Sequence, residues 1–188
     1  MAHEARQNST NPTVLRLARE IIVAQRKEII ELRKMLQSGG LNKRGDSPAH
    51  IQNEYDMNRF LNELGVPVPQ AQMQDGLMLT QMEEGQRMGF QPTAGDIRQL
   101  TRDFVPHTTI ANWDMLGLDR DNVIRRPDGT LSYVDVGGAG AFRAQGAPKG
   151  GAFGSTVGEL DTLRDKNPEL AGISEADLGR SYDAYGGE

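Results

Sequence analysis

The segment Ala111 to Gly138, ANWDMLGLDRDNVIRRPDGTLSYVDVGG, holds five aspartates, two asparagines, a Pro-Asp-Gly turn and a closing Gly-Gly. Asn122 opens one short apolar stretch, and Asp135 closes the next. If the two stretches pair as a hairpin, a carboxamide oxygen and a carboxylate arrive at the same end. Such hard oxygen donors suit Mg²⁺ carried by phosphates. Asp114 lies eight residues before Asn122, on the approach to the hairpin. It is placed to orient a hydroxyl nucleophile, and metal plus aligned nucleophile are the parts that phosphoryl transfer requires. Asn and Asp are also ordinary turn and cap residues, so the same three positions also read as local turn chemistry.

The elements that must position these residues follow from pattern. Pro12 to Leu36 reads as one long helix, with Leu15, Ile22, Ile29 and Leu36 recurring every seven residues and Ala18, Gln25 and Leu32 at the complementary positions. Gly39-Gly40 stops it. A lone amphipathic helix is marginal in water, so its stripe packs either on the rest of the chain or on a second helix, in a homo-oligomer or a partner protein. A second helix spans about Ile51 to Leu64 and ends at Gly65. The following VPVP forces an extended path. Asp75-Gly76 between QAQM and GLMLTQM signals a first hairpin. A third helix covers Ala94 to about Val105, a second hairpin joins Asn122-Val-Ile to Leu131-Ser-Tyr-Val, and VGELDTLRD and EADLGRSYDAY form short helices. The predicted fold class is α+β, with a long N-terminal helix (1–40), a domain over 41–180 and a tail (181–188).

Composition removes several function classes. With 21 Lys+Arg against 26 Asp+Glu, a formal net charge of -5 and no basic stripe, the chain is not a general nucleic-acid binder. The absence of Cys excludes disulfides, zinc-thiolate sites and Cys nucleophiles. The polar start reads as no secretory signal, and no apolar run is long enough for a membrane span, so a cytoplasmic protein is expected. Met73, Met78, Met82 and Met88 read as hairpin core, Trp113 as packing beside the site, and Arg143 and Lys149 as surface charges.

Asn112-Trp-Asp114, Asp121-Asn122, Asp128-Gly129 and Val134-Asp135-Val-Gly137-Gly138 together resemble the catalytic centre of the atypical kinases. These are the phosphatidylinositol kinases, the actin-fragmin kinase type and bacterial kinases related to HipA toxins. The resemblance implies a kinase-like C-lobe over about 41–180 and an ATP-Mg²⁺ phosphotransferase acting on a protein substrate, in a toxin-antitoxin or phage setting. It implies Asp114 as catalytic aspartate, with Asp119 as a rival because the spacing to Asn122 is long, and Asn122 and Asp135 as metal ligands. HIQNEYDMNRFLNELGVPVPQ is similar to the regulatory helix, whose Glu54 would pair with a nucleotide-binding lysine, here Lys43. LMLTQMEEG is similar to the hinge strand, where Met82 and Glu83 would meet adenine. The glycine-rich loop of a kinase N-lobe is missing, which leaves a catalytically inactive binding module or a helical oligomeric interaction protein as the alternatives. Residues 12–36 are similar to the C-terminal helix of a ferritin-like family of unknown function, without that family's metal residues.

Overall fold

A computed structural model describes residues 41–43, 47–154 and 156–185. The predicted N-terminal helix and the domain boundary at residue 40 lie outside the described residues. The chain divides into two units, Met1–Leu41 and Asn42–Glu188, and the described helices and sheets belong to the second, with Leu41 at the boundary.

The described part is mixed α+β, with four α-helices and two small sheets that contain both predicted hairpins. The first sheet holds β1 (Leu41–Lys43), β2 (Ala71–Gln74) and β3 (Leu77–Thr80) in the order β1-β3-β2. β2 and β3 are antiparallel around Asp75-Gly76, with Gln74 opposite Leu77; both turn residues have positive φ, 51° and 75°. That geometry is the one the Asp-Gly pair tolerates. The second sheet runs β4-β5-β6: β4 (Gln86–Arg87), β5 (Val123–Arg125) and β6 (Leu131–Tyr133), all antiparallel neighbours. β1 and β4 went unpredicted, being short stretches with little apolar content.

Helix α1 (Pro48–Leu64) starts where Ser47 accepts a hydrogen bond from the His50 amide and Pro48 pre-sets the first turn. It ends at Gly65, whose φ of 86° lets its own N–H reach the Asn62 carbonyl and the Val66 N–H reach the Leu61 carbonyl. The buried face carries His50, Ile51, Glu54, Asn58 and Leu61, a helical spacing that is polar at the start and apolar at the end.

Helix α2 (Ala94–Thr109) opens on a reciprocal cap between Thr93 and Asp96 and runs four residues past the predicted end. Pro106 sits inside it and cannot donate to the Arg102 carbonyl. Helix α4 (Glu175–Ala184) repairs the gap: the Ser181 hydroxyl donates to the Arg102 carbonyl at 2.5 Å and accepts from the Val105 amide at 3.1 Å. Between them lies α3 (Glu159–Lys166).

The core gathers Leu61 of α1, Leu100 and Phe104 of α2, Val123 and Tyr133 of the second sheet, and Met115, Leu163 and Leu170 from α3 and the connections. The edge of β6 is closed by side chain and loop. Gln99 exchanges two hydrogen bonds of 2.8 Å with the Leu131 backbone, and the Tyr133 amide reaches the Pro67 carbonyl at 2.9 Å. The extended VPVP segment therefore serves as a strand partner, which satisfies an edge that water would otherwise solvate.

Candidate functional site

The buried polar start of α1 faces the chain just after β6. His50 Nε2 lies 2.9 Å from the Gly137 carbonyl; Asn53 donates to the Ala139 carbonyl at 2.9 Å and accepts from the Ala141 amide at 3.0 Å. A helix thus holds residues 137–141 by three side-chain contacts, and Glu54 comes with it.

Gly137 and Gly138 are the point of convergence. A Cβ on Gly137 would sit 3.2 Å from Asp135 Oδ1 and 3.3 Å from Glu54 Oε2; one on Gly138 would sit 3.1 Å from the Asp114 Cβ. Three carboxylate residues, from α1, from the loop after α2 and from the end of the hairpin, therefore surround two adjacent glycines. Side chains at those positions would crowd them. The Gly137 amide donates to Asp135 Oδ1 at 3.0 Å, which sets the rotation of that carboxylate.

Asn122 is buried, and its Nδ2 donates to the Asp114 backbone carbonyl at 2.7 Å. That bond ties the start of β5 to the loop and directs the amide oxygen elsewhere. The tie depends on Gly117, which has φ 75° and lies against Asp121 and Asn122: a Cβ there would fall 2.3 Å from Asp121 Oδ1. Burial raises the Asp114 carboxyl above the usual carboxylate range; the Asn122 amide opposes this, while Asp135 and Asp121 add to it. Asp114, Asn122 and Asp135, the residues of the predicted metal and catalytic set, are thus brought together. Asp119 is exposed in the following turn, and the charges acting on Asp114 are those of Asp135 and Asp121.

The other candidates are more dispersed. Lys43 ends β1, and its side chain lies outside the described residues. Met82 is 56% exposed rather than hairpin core, because it falls past the end of β3; Met78 and Met88 are buried as expected. Glu83 is committed to Arg126 through two bonds of 2.7 Å, which fasten the segment between the sheets to the β5–β6 turn.

Lys149 is a correction of another kind. It is 5% exposed, not a surface charge, since its Nζ donates to the carbonyls of Ala111 and Gly138 at 2.5 and 2.7 Å. It also lies 4.7 Å from the Trp113 ring centroid, and Arg143 lies 5.1 Å from the same ring. Trp113 is itself half-exposed and donates its indole N–H to Glu159, so it is a rim residue rather than core. Burial pushes the Lys149 ammonium down to about 8; Glu159 acts in the opposite direction. A lysine among glycines carries no sequence signal of burial. His50 and Asn53 also went unpredicted, although His50 and Glu54 share a face at a spacing of four.

Among the described residues, no group of three or more His, Cys, Asp or Glu side chains is placed to hold a metal ion by itself. Asn122 and Asp135 stand at neighbouring ends of β5 and β6, where the Val134 amide donates to the Asn122 carbonyl at 2.9 Å. No helix among the described residues is long and apolar enough to cross a membrane.

A family model matches residues 1–104, more than half of the chain, and the chain belongs to that family, the Domain of unknown function (DUF305). No curated protein and no solved structure matches the chain. The family match overturns the resemblance to the atypical kinases. Residues 41–104, with the stretches likened to a regulatory helix and a hinge strand, fall within a different family, and no solved kinase stands behind the rest. The physical reason is that Asn, Asp and Gly recur wherever a tight hairpin joins short strands. Asp114, Asn122 and Asp135 lie beyond the matched residues, so their chemistry rests on geometry.

Proposed function

We propose that the loop at Gly137–Gly138 is a phosphoryl-transfer site that takes a magnesium–ATP complex and a hydroxyl acceptor. The observation that carries this reading is the convergence of Asp114, Asp135 and Glu54 on two adjacent glycines, with Asn122 tied to Asp114. The donor set fits the ion: a carboxamide oxygen and a carboxylate are hard ligands, and Asn122 Nδ2 is already committed, which leaves Oδ1 for a cation. When bound, Mg²⁺ neutralises phosphate charge.

The tasks fall to Asn122, Asp135, Asp114 and the two glycines. Asn122 and Asp135 fix where the triphosphate lies. Asp114 aligns the acceptor hydroxyl and takes its proton as the oxygen bonds to the γ-phosphorus; the bond from phosphorus to the β–γ bridging oxygen breaks, and ADP leaves with the electron pair. A carboxyl raised above its usual range is a better proton acceptor than an exposed one. Gly137 and Gly138 leave room for phosphate where side chains would stand.

The test is transfer from γ-labelled ATP to an acceptor, the chain's own hydroxyls included. Asp114→Asn lowers the rate by about 10²-fold or more, in the range of a lost general base, with the melting temperature kept. Equal rates for the variant and the native chain would reject the assignment. A purely binding role predicts saturable ATP-Mg²⁺ uptake with no transfer in either.

A further inference from the structure

The loop that presents Asp114 is reached by an awkward turn. Ala111 follows α2 with φ 49°, in the left-handed region that a non-glycine residue adopts only when its surroundings enforce it. Its amide is held by the Thr108 carbonyl at 2.9 Å, and its own carbonyl is the acceptor of the Lys149 ammonium. The same ammonium bonds the Gly138 carbonyl, on the strand exit that carries Asp135. An ammonium has three donors; two are spent on these carbonyls, and the Trp113 ring lies 4.7 Å away. Lys149 is in turn anchored by its own amide, which donates to the Ala141 carbonyl at 2.8 Å.

We propose that Lys149 is the positioning residue of this site: its buried ammonium clamps the loop bearing Asp114 to the loop bearing Asp135 and so sets the separation of the two carboxylates. The role deepens the phosphoryl-transfer reading and rests on it. One side-chain atom, Lys149 Nζ, bonds both loops. The hairpin itself holds Asn122 near Asp135, since the Val134 amide bonds the Asn122 carbonyl at 2.9 Å. Metal and phosphate binding therefore survive loss of the clamp, and only the alignment of Asp114 is lost. The desolvated amine is consistent with this part: it is buried against two carbonyls and an indole face.

The experiment uses Lys149→Met in the full chain, which keeps length and removes charge and donors. Two readouts are taken. In transfer from ATP, kcat falls about 10²-fold, the scale of a catalytic group misplaced by an ångström, while KM for ATP-Mg²⁺ stays within about two-fold. In amide hydrogen exchange, protection is lost at 111–114 and 137–140, with α2 and α4 unchanged. Native kinetics, or a parallel rise in KM and fall in kcat, overturns the assignment. So does unchanged exchange in both loops, and this readout stands even if the native chain transfers no phosphoryl group, a result that would reject only the phosphoryl-transfer reading. Should Lys149→Met not fold, the native chain decides: a Lys149 ammonium resonance in slow exchange with water and coupled to the Ala111 and Gly138 carbonyl carbons supports the clamp, and a rapidly exchanging one refutes it.

Discussion

His107 illustrates how a single buried side chain sets a pH limit. It is fully buried on α2, 4.3 Å from the Tyr133 ring centroid, with Nδ1 3.0 Å from the Asn112 amide. Burial lowers its pKa from 6.5 to about 4. Between those values the unfolded chain binds a proton that the folded chain refuses, so stability falls as pH drops through the window and is whole above 6.5. Going from neutral pH to 5 crosses 6.5 − 5 = 1.5 units, which is about 2 kcal/mol at 1.36 per unit. Asp96, whose carboxyl is held below its ordinary range by Arg125 and the Thr93 cap against the effect of burial, acts only below about 4, where its stabilisation is lost on protonation. The unfolding free energy of the native chain, from urea denaturation, is predicted to fall by that amount between pH 7.5 and 5, and His107→Gln removes most of the fall. An equal shift in the variant would place the titrating group elsewhere.

The elements show where pattern reading succeeds and where it stops. Both hairpins are legible because Asp75-Gly76 and Asp128-Gly129 take left-handed or turn conformations that few residue pairs tolerate. Helix α1 is legible from its apolar spacing and its closing glycine. The last turn of α2 is not, because a proline at 106 reads as a stop. It continues only because Ser181, 79 residues downstream of Arg102, supplies the missing donor. Burial of Lys149 is equally hidden, since the two carbonyls it needs come from Ala111 and Gly138, each distant in the chain. Ser181→Ala is expected to cost about 1–3 kcal/mol, the scale of an orphaned buried backbone group. The cost shrinks in a Pro106→Ala background, where the restored amide can serve the Arg102 carbonyl. A double-mutant cycle by urea denaturation measures this coupling; additive costs would refute it.

For the described unit as a whole, structure and site are coupled through α1. Its apolar end joins the core at Leu61, and its polar start holds residues 137–141. The site is thus built where a helix, a loop and a hairpin end meet, and no one segment contains it. That is why short motifs point to the wrong family: the turns are local, whereas the family match spans residues 1–104. The most direct measurement is a calorimetric titration of ATP-Mg²⁺ into the full chain and into Asp135→Asn. Saturable binding to the native chain is expected to require Mg²⁺ and to weaken at least ten-fold in the variant, about 1.4 kcal/mol. No binding, or equal binding by both, would contradict it.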